Sequence, residues 1–274
     1  MIYDGTGHFY IDNNEKKSSS DTEIFNHIDA YPFFEVIRVI NDTPLFLEEH
    51  IKRLRENLDF FHFYNPPEPK ALELELYSAI RENSVRDQNV KLAVVDDDYE
   101  VRHIFAYPVK SSYPSEDQYE KGCNVMVLPM EREQRVKLYS DLSFEKIWRE
   151  ILRAGVFEAL LMNTDGRIRE GSRSNVFFLK DDTVITADDY EIISTVNRSL
   201  VLEIIKALGL EIVFKPMSVK DLYFTDGAFM VGSLVGVLPI TRIEQITLKS
   251  VNNPHILKIR STYEERIRQY VNER

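Results

Sequence analysis

Four kinds of side chain in this 274-residue sequence could together do covalent and proton-transfer chemistry. Lys137, in RVKLYS, follows an expected strand, and Glu170 lies 33 residues later in the run EALLMNTDGRIREGSRSNVFFLKDDTVITA. Arg53 stands in HIKRL, and Ser233 in FMVGSLVGVLPI. A desolvated lysine has a lowered pKa and can serve as nucleophile and base. An ionised carboxylate beside a heteroaromatic nitrogen keeps that nitrogen protonated. Guanidinium forks, hydroxyls and a helix N-terminus hold phosphate. The segment IISTVNRSLVLEIIKALG offers such a helix start. Residue type alone does not choose among so many lysines; Lys121, Lys146 and Lys180 read as solvated, so local sequence must decide.

The run from Glu158 to Ala187 closely resembles the signature of class IV (fold-type IV) pyridoxal-phosphate (PLP) enzymes, in which E-G-x-x-x-N-[IV]-F follows a hairpin strand. That family includes branched-chain and D-amino-acid aminotransferases and aminodeoxychorismate lyase. The resemblance implies that Glu170 pairs with the pyridine nitrogen, that Asn175 belongs to the same cofactor motif, and that Lys137 carries PLP as a Schiff base. It implies phosphate binding by Arg53 in the H-x-x-R-L step, by Val196 and Asn197 at a helix N-terminus and by Ser233. Ile193 would pack against the ring. Phe34, Arg38 and Tyr139 would sit near the substrate. His50, a lone histidine in a helical segment, reads as structural.

The elements around these residues follow from periodicity. FFEVIRVI (Phe33 to Ile40) reads as a strand, with Phe34, Val36 and Arg38 on one face and Glu35 and Ile37 on the other. Asn41 to Pro44 signals a turn, after which LFL resumes the sheet. Ile51, Leu54, Leu58 and Phe61 recur at helical spacing until NPPEP stops them. A helix over Ala71 to Glu82 and strands over Val90 to Val95 and Val101 to Val109 come next. Residues 111–122 read as a linker. Beyond it lie the strand NVMVLP, a helix near Ser143 to Ala154 with Ser143 as N-cap, and the hairpin ALLMN–TDG–RIREG. NVFFLK, TVITA and a helix from Asn197 to Leu208 ended by Gly209 follow. Strands near Glu211–Phe214, Gly227–Val231 and Val235–Ile243 precede a charged C-terminal helix. Strands and helices mix without strict alternation, so the expected fold class is α+β in two domains, 1–115 and 116–274, with mixed sheets and flanking helices. The resemblance makes this a fold-type IV, D-amino-acid-aminotransferase-like architecture with the lysine in the larger domain.

Composition narrows the function classes. A formal net charge of -11 argues against a nucleic-acid partner, because no general basic field attracts phosphates. One cysteine, Cys123, excludes an intrachain disulfide framework and a cysteine-based zinc site; no metal is expected. No signal peptide or membrane span is read, so the expected location is the cytoplasm.

Three departures from the family pattern stand out. The phosphate turn commonly reads G-[IV]-T-R, whereas here it reads Thr195-Val196-Asn197-Arg198. Threonine tolerates positive φ poorly, so weaker or shifted PLP binding is expected. AYPFFE replaces a glycine-rich run near the substrate pocket, and Leu142 stands where many members carry an aromatic residue, a place Tyr139 would take. The favoured reaction is transamination between an amino acid, branched-chain or otherwise hydrophobic, and a 2-oxo acid. Aminodeoxychorismate lyase, which eliminates pyruvate in folate synthesis, is the second reading, since GSLVGVLPI is similar to lyase-like segments. A D-amino-acid aminotransferase ranks third, because Arg102 and His103 are adjacent and point to opposite faces of a strand. A PLP-binding homologue without catalysis rests on the altered turn alone. The resemblance also implies a homodimer.

Overall fold

The computed structural model describes the chain except Ile2, Asp29 to Tyr31 and Glu131 to Ser140; of Asp141 to Phe144 it describes the backbone only. The chain forms two compact units. One takes in the described residues of Met1–Ser112 together with Arg268–Arg274, the other those between Tyr113 and Ile267.

The first unit holds an antiparallel sheet of six described strands: β1 (Phe9–Asp12), β2 (Glu15–Ser18), β3 (Phe33–Ile40), β4 (Thr43–Pro44), β5 (Asp87–Asp96) and β6 (Arg102–Val109), ordered β2-β1-β6-β5-β3-β4. Burial alternates along β3: Phe33, Glu35, Ile37 and Val39 are buried, while Phe34, Val36, Arg38 and Ile40 are partly so. That is the facing expected from period two. Helices α1 (Leu47–Phe60) and α2 (Pro69–Glu82) cover one face. Ile51, Leu54 and Leu58 of α1 and Leu72, Leu76 and Ala79 of α2 pack there with Ile37, Val39, Val90 and Leu92. Burying one such side chain fully contributes roughly 1.5–3 kcal/mol. On the other face, Tyr10, Phe25, Phe105 and Tyr107 form a second cluster that Phe34 and Val36 adjoin.

Two expectations fail here. LFL does not resume the sheet: pairing ends at Thr43–Pro44, Phe46 turns the chain through φ 52, and Leu47 already opens α1. Leu45, Phe46 and Leu47 are buried by this turn rather than by a ladder. Helix α2 starts at Pro69 instead of Ala71, because proline's fixed φ suits a first helical position.

The second unit holds a sheet of ten described strands: β7 (Cys123–Pro129), β8 (Glu158–Met162), β9 (Arg167–Gly171), β10 (Asn175–Lys180), β11 (Thr183–Thr186), β12 (Glu211–Phe214), β13 (Met217–Ser218), β14 (Gly227–Gly232), β15 (Gly236–Ile243) and β16 (Ile246–Thr247). The sheet is mixed: β7 runs parallel to β8 and β15, β11 parallel to β12, and the other pairs are antiparallel. Helices α3 (Glu116–Lys121), α4 (Asp141–Ala154), α5 (Val196–Ala207) and α6 (Pro254–Asn272) accompany it, the last turn of α6 belonging to the first unit. Val201, Ile204 and Ile205 of α5 and Ile256, Ile259 and Tyr263 of α6 bury one face of the sheet with Phe177, Phe229 and Val231.

The stretch read as a linker contains a helix. Ser115 and Gln118 form a reciprocal capping box, which nucleates α3 despite the polar composition. Helix α4 begins at Asp141, so Ser143 lies inside it and is no cap. Helix α5 ends as expected, with Gly209 at φ +74 just beyond it.

Candidate active site

In the second unit the motif E-G-x-x-x-N closes a loop of hydrogen bonds. Strands β8 and β9 pair antiparallel with Glu170 opposite Leu161, and β10 begins at Asn175 after a three-residue turn. Both Glu170 and Asn175 are buried. The N–H of Ile193 donates to Glu170 Oε2 at 3.1 Å, and Asn175 Nδ2 donates to the carbonyl of Ile193 at 2.9 Å. One peptide residue is thus gripped from both sides by the motif's two polar members. Thr195 Oγ1 then donates to Asn175 Oδ1 at 2.9 Å.

The intervening turn is held from beneath by Glu158, a fully buried carboxylate at the start of β8. Its Oε1 accepts from the N–H of Arg173 at 2.8 Å, from Ser174 Oγ at 2.9 Å and from Ser172 Oγ at 3.4 Å. Gly171 is needed for close approach: a Cβ there would come within 2.3 Å of Ser174 Oγ and 2.5 Å of Glu158 Oε1. The sequence reading missed Glu158. Its signal was an acidic residue opening an otherwise apolar strand, with hydroxyl donors at 172 and 174.

The backbone difficulty expected of threonine in the turn before α5 is absent. Thr195 has φ -120 and ψ 157, ordinary extended backbone, so this position demands no glycine. Thr195 is instead the N-cap, its hydroxyl accepting from the N–H of Arg198 at 3.2 Å. The amides of Val196 and Asn197, the first two of the helix, have no intrahelical acceptor. They carry the positive end of the helix dipole. Asn197 Nδ2 donates to Ser233 Oγ at 3.1 Å. Ser233 arrives there because β10 pairs with β14, Asn175 opposite Val231, which brings the end of β14 beside the motif. Ile193 and Val196 are buried at the same place. Of the expected cofactor residues, the structure therefore brings together Glu170, Asn175, Ile193, Val196, Asn197 and Ser233.

The fourth residue of the turn, Arg198, is committed elsewhere. It is fully buried, Nε on Asp189 Oδ1 at 2.7 Å, Nη1 on Thr186 Oγ1 at 2.7 Å and Nη2 on the carbonyl of Ala187 at 2.6 Å. It ties the end of β11 to α5 and keeps no nitrogen for a ligand.

Arg53 belongs to the first unit and differs. Glu35, fully buried on the helix side of β3, accepts from Arg53 Nη1 and pairs with His50 Nδ1 at 2.8 Å. His50 and Arg53 lie three residues apart on α1 and so share one helix face. Nε and Nη2 of Arg53 have no partner among the described residues. His50 is structural, as expected: it shares the carboxylate that steadies Arg53. Phe34 and Arg38 lie on the opposite face of β3 and are not brought to Arg53. Phe34 stacks under the Lys91 ammonium at 5.2 Å, and Arg38 Nη2 donates to Asp87 Oδ1 at 3.2 Å. Lys137 and Tyr139 lie outside the described residues, as does the side chain of Leu142. Arg102 and His103 do point apart, to Asp96 and Asp12 respectively.

Among the described residues no cluster of His, Cys, Asp and Glu could hold a metal, and no helix is long and apolar enough to cross a membrane. Burial raises the thiol pKa of Cys123 far above its ordinary value, with the Glu158 carboxylate adding to the effect.

Comparison with known proteins gives the geometry its setting. The amino-transferase class IV family model matches residues 32–243. The aminodeoxychorismate lyase of Bacillus subtilis is 25% identical over 256 residues, 88% of this chain and 87% of its own. The branched-chain amino acid aminotransferase of Escherichia coli has the same fold at 19% identity, with a TM-score of 0.84 over 96% of this chain and 95% of that one. A T.th. branched-chain amino acid aminotransferase, solved with pyridoxamine 5'-phosphate, gives 0.82 at 21% identity over 96% and 94%. The expected α+β, fold-type IV architecture is therefore the observed one, although the sheet of the first unit is antiparallel rather than mixed, and the chain belongs to the class IV amino-transferase family.

Proposed function

We propose that this protein uses pyridoxal 5'-phosphate to move an amino group between an amino acid, branched-chain or otherwise hydrophobic, and a 2-oxo acid. The observation that carries the reading is the closed ring of bonds from Glu170 through Ile193 and Asn175 to Thr195, which sets a buried carboxylate and a helix N-terminus in one place. That donor set suits the group. A carboxylate, two helix amides without intrahelical acceptors, the Asn197 amide and a serine hydroxyl are what a pyridine nitrogen and a phosphate monoester need.

When bound, PLP supplies an electron-accepting ring that stabilises negative charge at the substrate's α-carbon. Glu170 holds the proton on the pyridine nitrogen, so that the ring stays a strong acceptor. Val196, Asn197 and Ser233 would hold the phosphate, a role the family resemblance also gives Arg53. Ile193 packs on the ring. Lys137 would hold the cofactor and would carry a proton between the substrate's α-carbon and the cofactor C4′. Phe34, Arg38 and Tyr139 meet the substrate. In the same reading the protein is a cytoplasmic homodimer that binds neither nucleic acid nor membrane.

A lyase reading is favoured by one observation, the match to the Bacillus subtilis aminodeoxychorismate lyase along 88% of this chain. Product analysis separates the two. Transamination requires a 2-oxo acid acceptor, whereas the lyase releases pyruvate without one. The deciding experiment is an absorbance titration of wild type and Lys137→Ala with PLP, followed by leucine, phenylalanine and D-alanine. A visible band that depends on Lys137 and shifts with one donor supports the reading; no such band at saturating PLP refutes it.

A further inference from the structure

Tyr263 of α6 is buried against Phe177, Phe229 and Val201. Its hydroxyl donates to Asn197 Oδ1 at 2.5 Å, and Asn197 Nδ2 donates in turn to Ser233 Oγ at 3.1 Å. The direction of this relay follows from what each group can do. A phenol has one hydrogen to give, and sealed from solvent this one meets no acceptor but Asn197 among the described residues. Burial pushes the phenol pKa well above its ordinary value, so the group keeps that hydrogen. The amide must therefore turn its oxygen to Tyr263 and its NH2 to Ser233. Reversed, it would set an NH2 without a lone pair against the phenol hydrogen and leave a buried donor unmet.

Once Ser233 Oγ accepts from Asn197, its own hydrogen meets no acceptor among the described residues. The second hydrogen of the Asn197 amide is likewise uncommitted among the described residues. Both sit at the start of α5, whose first amides also face outward from the helix end. We propose that Tyr263 is a positioning residue that fixes the donor direction of Asn197 and Ser233, so that both present hydrogens to the cofactor phosphate. The proposal rests on the PLP reading above. Tyr263 itself touches no ligand in it; it acts only through the amide.

The test compares apoprotein of wild type, Tyr263→Phe, Ser233→Ala and the double variant. Each is titrated with PLP and with pyridoxal, which lacks the phosphate, and the 31P resonance of bound PLP is recorded. Loss of the phenol should weaken PLP binding about 10-fold by freeing the amide to flip, while pyridoxal binding changes less than about twofold. The 31P resonance should move, and the double variant should lose less PLP affinity than the sum of the two single losses, because the two changes share the Ser233 donor. Equal weakening for PLP and pyridoxal, or additive losses in the double variant, would overturn the proposal and leave the cofactor reading standing. Failure of wild type to bind PLP at all would sink both.

Discussion

Restoring the family's usual glycine at position 195 should weaken this protein. In Thr195→Gly the helix loses its capping acceptor, which for glycine in place of threonine costs a few tenths of a kcal/mol. Asn175 Oδ1, 1% exposed as a residue, loses the Thr195 hydroxyl that donates to it at 2.9 Å. A buried acceptor stripped of its donor costs about 1–3 kcal/mol. Glycine in extended backbone that threonine already adopts, φ -120, gives up a further ~0.5–1 kcal/mol of chain entropy. The sum is roughly 2–4 kcal/mol. Equilibrium urea unfolding, followed by fluorescence of the sole tryptophan, Trp148 of the second unit, reads this directly. A loss of that size lowers the midpoint by about 1 M at the urea dependence usual for such chains. Thr195→Ser keeps the hydroxyl and should lie within about 1 kcal/mol of wild type, while Thr195→Val keeps the backbone preference but loses both the cap and the Asn175 donor, about 2–4 kcal/mol. A glycine variant as stable as wild type, or a serine variant as weak as glycine, would show that the hydroxyl is not what holds this turn.

Two more perturbations probe the first unit. Glu35→Gln removes the charge that Arg53 Nη1 and His50 Nδ1 share; with Arg53 partly solvated, the loss should be about 2–4 kcal/mol in urea, and a change below about 0.5 kcal/mol would deny the cluster its structural role. Glu75 of α2 accepts from the N–H of Asn14 at 2.8 Å through Oε2, while its buried Oε1 has no partner among the described residues. Burial, with repulsion from Asp12, raises its pKa from 4.5 to about 8, against the pull of the Asn14 N–H. The folded chain then holds a proton that the unfolded chain has released across that window. Stability from this group is full below pH 4.5 and is lost as pH rises to about 8, roughly 3–5 kcal/mol in all. Glu75→Gln should abolish that slope in urea midpoints measured from about pH 5 to 9; parallel curves for the two proteins would refute the assignment.

The sequence made some levels of this architecture readable and hid others. Alternation along FFEVIRVI announced which side chains share a face, because a pleated strand has no other periodicity available. The order of motifs named candidate cofactor residues, and the structure gathers six of them around the start of α5. What did not show was partnership. Nothing in the run TVNRS says that Arg198 commits every nitrogen inside the fold while Arg53, on another element, keeps two. The spacing Ile256, Ile259, Tyr263 marks a buried face of α6, but the acceptor for the phenol lies 66 residues upstream. The stretch 111–122 misled because its composition is polar; only the Ser115–Gln118 spacing betrays the short helix within it.

Changes at positions 195 and 197 make sense together. A turn reading G-[IV]-T-R places its hydroxyl on the third residue; here the hydroxyl sits on the first, Thr195, and the third is an amide. Moving the hydroxyl to 195 lets one side chain cap α5 and satisfy Asn175, at a backbone conformation that favours a β-branched residue. Placing an amide at 197 then creates a demand that threonine would not have made, because an amide oxygen buried at this depth needs a donor of its own. Tyr263 meets that demand, and the amide nitrogen is turned towards Ser233 as a consequence. The helix start therefore keeps its donors by a different arrangement of groups. The departure from the family pattern at 195–197 is a rewired helix start, in which the backbone of residue 195 is unstrained and the phenol of Tyr263 holds the amide.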